Sequence, residues 1–142
     1  GYKHYQNLYD GLPEADIVTL HTPLTDETRG IAGTKMFDKM KRGSYFINTA
    51  RGDLVDEDEI CRRIENGHLA GAALDATSID SGQPNPRLLA CKKIVLSYHI
   101  AAMTEEALNA MAKDCADGIE SVLNQKRWEK TANPEVYDKL GW

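Results

Sequence analysis

Three residues with chemical potential each close a short apolar run. Arg51 follows Ser44-Tyr45-Phe46-Ile47, Asp75 follows Ala70-Gly71-Ala72-Ala73-Leu74, and His99 follows Ile94-Val95-Leu96-Ser97-Tyr98. If those runs are parallel strands, all three ends fall on one edge of the sheet, where open α/β sheets hold their ligands. An Arg fixed there offers a planar fork of donors suited to a carboxylate. A His beside a carboxylate makes a proton donor, because the neighbouring charge favours the imidazolium. Asp80, in the loop after Asp75, adds a second carboxylate. Together the set suits proton transfer coupled to hydride transfer at a carbonyl carbon. Taken singly, Arg51 is equally a surface residue closing a turn, and His99 a strand-end side chain satisfied by the core. Their placement on one predicted edge is what favours the chemical reading.

The other candidates are weaker. His4 and His68 read as solvated loop residues, and His21, at a strand end on the same edge, as structural before cofactor-facing. The histidines and carboxylates form no metal-binding spacing such as His-Glu-x-x-His, so no metal is expected. A Gly-x-Ser-x-Gly elbow of the hydrolase type does not occur.

The elements that must position these residues alternate in type. Residues 2–5 read as a short strand, and residues 7–16 hold a helical turn interrupted by Gly11 and Pro13. Ile17–Leu20 is a β-branched buried strand ended by Pro23. A helix from Thr34 to Met40, with Thr34 as its N-cap, ends at Lys41-Arg42-Gly43. Strand Ser44–Ile47 follows. The helix from Glu57 to Asn66 has Asp56 as cap, Glu59 in the capping-box position, Val55 to staple on Ile60, and Asn66-Gly67 as its stop. Next come the small-residue strand Ala70–Leu74, a polar loop from Thr77 to Arg87, and strand Ile94–Tyr98. A long helix runs from Thr104 to about Gln125 with one apolar face. The stretch from Thr131 to Trp142, with an exposed-looking Trp142, shows no periodicity. This alternation predicts α/β architecture, a parallel sheet with helices on both faces.

Composition sets the remaining bounds. The chain has 142 residues, 42% hydrophobic and 27% charged, enough for one domain with a core. A net charge of −5 with no basic stripe argues against nucleic acid as partner. No apolar run approaches the roughly 20 residues of a membrane span, and no signal peptide is visible. Cys61, Cys91 and Cys115 have neither zinc nor disulfide spacing; Cys61 and Cys115 read as core filler, and a cytoplasmic location is expected.

Several separated stretches, taken together, resemble the D-isomer-specific 2-hydroxyacid dehydrogenases. They are Leu20-His21-Thr22-Pro23-Leu24-Thr25, Lys41-Arg42-Gly43, Asn48-Thr49-Ala50-Arg51-Gly52, Leu54-Val55-Asp56, Gly71-Ala72-Ala73-Leu74-Asp75 and Tyr98-His99, in order over roughly residues 8–125. The resemblance implies a Rossmann-like nucleotide-binding domain using NAD, with NADP not excluded. It further implies that Arg51 orients the substrate carboxylate and carbonyl, that His99 is the acid/base partnered by Asp80, and that Asp75 holds the nicotinamide carboxamide. Thr22, Pro23, Thr49 and Ala50 would line the cofactor cleft. Three departures stand out. No Gly-x-Gly-x-x-Gly phosphate loop occurs; Asp80-Ser81 replaces the family's Glu-Pro, with an acid one methylene shorter; and Ala101-Ala102 stands where the family has a Gly.

These features predict a domain truncated on its N-terminal side, with residues 1–125 as the carboxyl-terminal portion of a nucleotide-binding domain and 126–142 as a tail. The expected function is an oxidoreductase segment for a D-2-hydroxy acid/2-oxo acid pair, a poor catalyst or none in isolation. The alternative is a non-catalytic α/β dimerisation or interaction module of the same descent. An exposed sheet edge and an uncovered apolar face predict a homo-oligomer.

Overall fold

A computed structural model describes residues 1–83 and 85–142; Pro84, in the Thr77–Arg87 stretch read as a loop, lies outside the described residues. The chain divides into two compact units, Gly1–Ala101 and Ala102–Trp142. The sequence reading placed its boundary at 125, after the long helix rather than before it.

The first unit is built on four parallel strands in the order β1 (Ile17–Leu20), β2 (Ser44–Asn48), β3 (Leu69–Leu74) and β4 (Ile94–Leu96). Their register aligns Val18, Phe46, Ala72 and Ile94 in one row and Leu20, Asn48, Leu74 and Leu96 two positions on. Because side chains alternate across a strand, both rows point to the same face. Helices α2 (Thr34–Lys39) and α3 (Glu57–Glu65) cover that face with Met36, Phe37, Ile60 and Ile64. Phe37 meets Phe46 edge-on at 5.3 Å between ring centres. Each such fully buried apolar side chain contributes about 1.5–3 kcal/mol. On the opposite face Ile17, Tyr45 and Val95 are exposed.

The α3 start behaves as its sequence signature implies on one side only. Asp56 accepts the Glu59 N–H at 2.9 Å, but the Glu59 carboxylate does not close a capping box; it is buried against Arg62 and Arg63. Arg63 also reaches Asp38 of α2 at 2.6 Å, so the ion pairs tie two helices together.

Other local readings shift. Residues 2–5 form no strand; Lys3 instead pairs with Glu14 at 2.7 Å and lies over the Tyr5 ring. The Asn7–Asp16 segment holds α1 (Leu8–Gly11) and a 3-10 turn, Leu12–Glu14, with Pro13 in its first turn, where the ring is tolerated. Gly33, not Thr34, is the N-cap of α2. Gly43 leaves that helix at φ 81°, a left-handed value that costs glycine no Cβ clash. The expected Thr77–Arg87 loop contains a 3-10 turn, Ser78–Ser81, and reaches α4 (Pro86–Ala90), capped by Asn85.

In the second unit, α5 (Glu105–Leu123) starts with the Thr104 hydroxyl accepting the Ala107 N–H at 3.2 Å. The tail is not featureless: α6 (Val136–Leu140) ends at Gly141, φ 72°. Tyr137 anchors it, with its hydroxyl accepting the Trp128 N–H at 3.1 Å and its ring stacked on Trp142 at 5.8 Å. Trp142 is therefore partly covered. Cys61 is fully buried, as expected of core filler, whereas Cys115 is exposed on α5.

Candidate active site

All the candidate residues fall in the first unit, on the carboxyl edge of its sheet. Arg51 follows β2, Asp75 ends β3, and His99 follows β4, and these three strands are neighbours. The three therefore share one edge of the sheet, although the cleft that holds Arg51 is not lined by Asp75, Asp80 or His99.

Asn48 shapes the turn that carries Arg51. It is fully buried at the last position of β2. Its amide oxygen accepts the Ala50 N–H at 3.0 Å, and its amide nitrogen donates to the Arg51 carbonyl at 2.8 Å and to the Ala76 carbonyl at 3.3 Å. One side chain therefore folds the Thr49–Arg51 turn and fastens it to the loop after β3. The Arg51 side chain itself is exposed, and Nη1 donates to the Ala50 carbonyl at 2.7 Å. Most of its guanidinium donors face solvent, available to an anion. Gly52 allows the closest approach in this region: a Cβ there would sit 2.5 Å from the Thr77 backbone.

His21, Thr22, Pro23, Leu24, Thr49, Ala50 and Arg51 line an open cleft of 680 Å³ between the ends of β1 and β2. The four residues expected to line a cofactor cleft are all among them. Two threonine hydroxyls beside Pro and Ala give the cleft a mixed polar and apolar lining. The Gly-rich loop that would take a pyrophosphate is not part of these 142 residues. His21 Nε2 lies 3.0 Å from the Thr19 hydroxyl, two residues back.

Asp80 reaches His99. Its Oδ2 lies 3.0 Å from His99 Nδ1, so the shorter acid spans the gap. The carboxylate is aimed by its own turn: Thr77 caps the Ser78–Ser81 turn, and Asp80 Oδ2 accepts the Thr77 N–H at 3.3 Å in a capping box. A carboxylate on Nδ1 fixes the tautomer and leaves Nε2 as the working nitrogen. Both side chains remain partly exposed, so the pair is open to a ligand.

Asp75 is buried and organises the His99 loop. Its Oδ1 accepts the Ser97 hydroxyl at 2.6 Å and the Ile100 N–H at 2.9 Å, and its Oδ2 accepts the Ala101 N–H at 3.0 Å. Burial acts to raise its pKa, but the bonds from Ser97, Ala101 and Ile100 outweigh this and hold it below the usual carboxylate value. Oδ2 carries one protein donor and has acceptor capacity beyond it. Sequence reasoning assigned no role to Asn48 or Ser97. A buried Asn closing an apolar strand was the available signal for the first.

Among the described residues no group of three or more His, Cys, Asp or Glu is arranged to hold a metal ion, and no helix is long and apolar enough to cross a membrane.

A four-stranded parallel sheet with helices packed on it is a Rossmann-like fold of the nucleotide-binding kind. Residues 1–101 match the family profile described as D-isomer specific 2-hydroxyacid dehydrogenase, NAD binding domain, and the chain belongs to that family, whose domain cofactor is NAD. It is 36% identical to a glyoxylate reductase of Aeropyrum pernix over 93% of this chain and 39% of that protein. It is 42% identical to a D-3-phosphoglycerate dehydrogenase of Bacillus subtilis over 72% of this chain and 19% of that one. The NAD-complexed D-isomer specific 2-hydroxyacid dehydrogenase of Lactobacillus delbrueckii ssp. bulgaricus superposes with a TM-score of 0.81 at 32% identity, covering 91% of this chain and 43% of that one. The chain spans about two-fifths of the length of the first curated relatives it matches.

Proposed function

We propose that this chain carries the acid/base and substrate-anchoring edge of an NAD-dependent oxidoreductase that interconverts a D-2-hydroxy acid and its 2-oxo acid. The observation that carries the reading is the Asp80–His99 pair at 3.0 Å on the same sheet edge as the Arg51 cleft. NAD(H), when bound, supplies or accepts the hydride. Arg51 holds the acid's carboxylate through its free guanidinium donors and polarises the adjacent carbonyl. His99 delivers a proton from Nε2 to the carbonyl oxygen in reduction and removes it in oxidation. Asp80, on Nδ1, keeps the ring oriented. Asp75 offers its remaining Oδ2 position to the carboxamide, while Thr22, Pro23, Thr49 and Ala50 flank the ring. Residues 1–125 act as a portion of the nucleotide-binding domain and 126–142 as its tail. By itself the chain is a poor catalyst, since it has no Gly-rich loop to anchor a pyrophosphate.

Association of copies is the second reading, favoured by apolar surface: Ile17, Tyr45 and Val95 on the sheet, and Ile119, Val122 and Leu123 on α5, are exposed. Sedimentation should show a concentration-dependent oligomer, and a clean monomer at micromolar concentration contradicts it.

The active-site reading is tested by amide NMR of the chain titrated with NADH and then with glyoxylate. Shifts should centre on Thr22, Thr49–Arg51, Asp80 and His99, and Arg51→Gln should weaken the response to the acid while sparing that to the nucleotide. Shifts centred elsewhere, or an acid response indifferent to Arg51→Gln, overturn it.

A further inference from the structure

The turn that presents Asp80 to His99 is itself held from a third element. Glu57 lies in the first turn of α3 and is buried, a rare position for a carboxylate unless it is paired. Its Oε1 accepts the Ser78 N–H at 2.6 Å and its Oε2 accepts the Ser78 hydroxyl at 2.7 Å. Both oxygens are therefore directed at one residue, two positions before Asp80. The turn also meets Gly52, where even a single added carbon would overlap the Thr77 backbone at 2.5 Å. Thr77 and Ser78 are thus held in contact with Gly52 and Glu57 respectively, and Asp80 inherits its position from them through the Thr77 capping box.

We propose that Glu57 is a positioning residue for the acid/base pair: by clamping Ser78 against α3, with Gly52 packed on Thr77, it sets the Asp80 carboxylate within reach of His99 Nδ1. This rests on the assignment of Asp80 as partner of His99. Glu57 touches neither substrate nor cofactor. A helix that packs on the sheet is thereby linked to the proton donor through one turn. The clamp also accounts for the shorter acid: an Asp can replace a longer one only where its backbone is brought close and kept there.

The test reads the His99 ring directly and needs no turnover. In the histidine-15N-labelled chain, long-range proton–nitrogen correlation spectra distinguish Nδ1–H from Nε2–H tautomers, with His99→Asn used for assignment. In the unsubstituted chain the neutral His99 ring should be the Nδ1–H tautomer, and Asp80→Ala should abolish it. Glu57→Ala should abolish it too. Glu57→Gln should retain it, because the amide oxygen can accept the Ser78 N–H while the amide nitrogen donates to the Ser78 hydroxyl oxygen. Gly52→Ala, which pushes the turn without removing a charge, should also reduce the Nδ1–H signal. Amide spectra check that each variant is folded; if Glu57→Ala is not, Ser78→Ala and Gly52→Ala carry the test. Loss of the signal in Asp80→Ala but not in the folded Glu57, Ser78 and Gly52 variants overturns the clamp alone. A ring indifferent to Asp80→Ala overturns the acid/base pairing itself, and the clamp with it.

Discussion

Asp75 and His99 are joined through the backbone: the His99 N–H donates to the Asp75 carbonyl at 2.9 Å, while the Asp75 carboxylate takes the N–H groups of Ile100 and Ala101. His99 sits at φ 55°, in the left-handed region that a non-glycine residue enters at a cost of about 1–2 kcal/mol. The bonds on either side of it over-determine that conformation, which is how such strain persists at a site. Replacing the residue tests the cost. His99→Gly and His99→Ala both lose the ring, but glycine should leave the chain more stable by about 1 kcal/mol, read from urea midpoints. Equal midpoints would mean that the left-handed value is not maintained in solution.

Asp75→Ala strands the Ser97 hydroxyl and the Ile100 and Ala101 N–H groups. A stability loss of about 2–4 kcal/mol is expected, on the scale of leaving buried donors unmet. Hydrogen exchange at the Ile100 and Ala101 amides should accelerate beyond the global change. Exchange that speeds up uniformly along the chain would show that the carboxylate is not a local anchor.

The same carboxylate sets a pH dependence. Its folded-state pKa lies below the usual carboxylate value, with burial opposing and the Ser97, Ala101 and Ile100 bonds prevailing. Folding therefore favours the ionised form, and the stabilisation is fully present above the unfolded-state value of about 3.9. It is lost as the pH falls through the lower folded value. Urea midpoints of the unsubstituted chain should drop more steeply below about pH 4 than those of Asp75→Asn, which has no proton to take up. Parallel curves would remove Asp75 from the acid-sensitive groups.

How much of this was readable from sequence depends on the range of the forces involved. Strand Ile17–Leu20 was read to the residue, because a β-branched run between breakers is a local pattern. Asp56 was readable as a cap for the same reason. The roles of Glu59 and Glu57 were not: both carry the acidic signature of a helix start, but Glu59 turns to Arg62 and Arg63 on its own helix, and only tertiary packing brings Glu57 to Ser78. Residues 2–5 have strand composition but no strand partner, and composition alone does not supply one. The convergence of Arg51, Asp75 and His99 was legible because parallel strands impose it. The reach of Asp80 depends on the Thr77 turn, which no spacing announces.

Thiol reactivity should separate the three free cysteines. Cys61 is fully buried, and burial, with lesser effects from Cys91, Glu65 and Asp58 and against an opposing one from Arg87, pushes its thiol up to about 11. The thiolate is the nucleophile, so at about pH 8 the folded chain should leave Cys61 unmodified by iodoacetamide while exposed Cys115 reacts first. Mass spectrometry of digests gives the order. Modification of Cys61 at the rate of Cys115 under native conditions would mean that the α3 core opens readily.

Asn48 gives the sharpest link between packing and the site. It is fully buried, yet its amide serves Ala50, Arg51 and Ala76 at once. Asn48→Leu keeps the volume but leaves the Ala50 N–H and two carbonyls without that partner, so a loss of about 2–3 kcal/mol is expected in denaturant unfolding. Asn48→Asp keeps the acceptor for Ala50 but sets a carboxylate against the Arg51 and Ala76 carbonyls, and should cost at least as much. Because the turn bearing Arg51 hangs on this side chain, the NMR response to glyoxylate should weaken in both variants even where the sheet stays folded. An intact acid response in a folded Asn48→Leu chain would show that Arg51 finds its place from the 3-10 turn at Gly52–Leu54 alone.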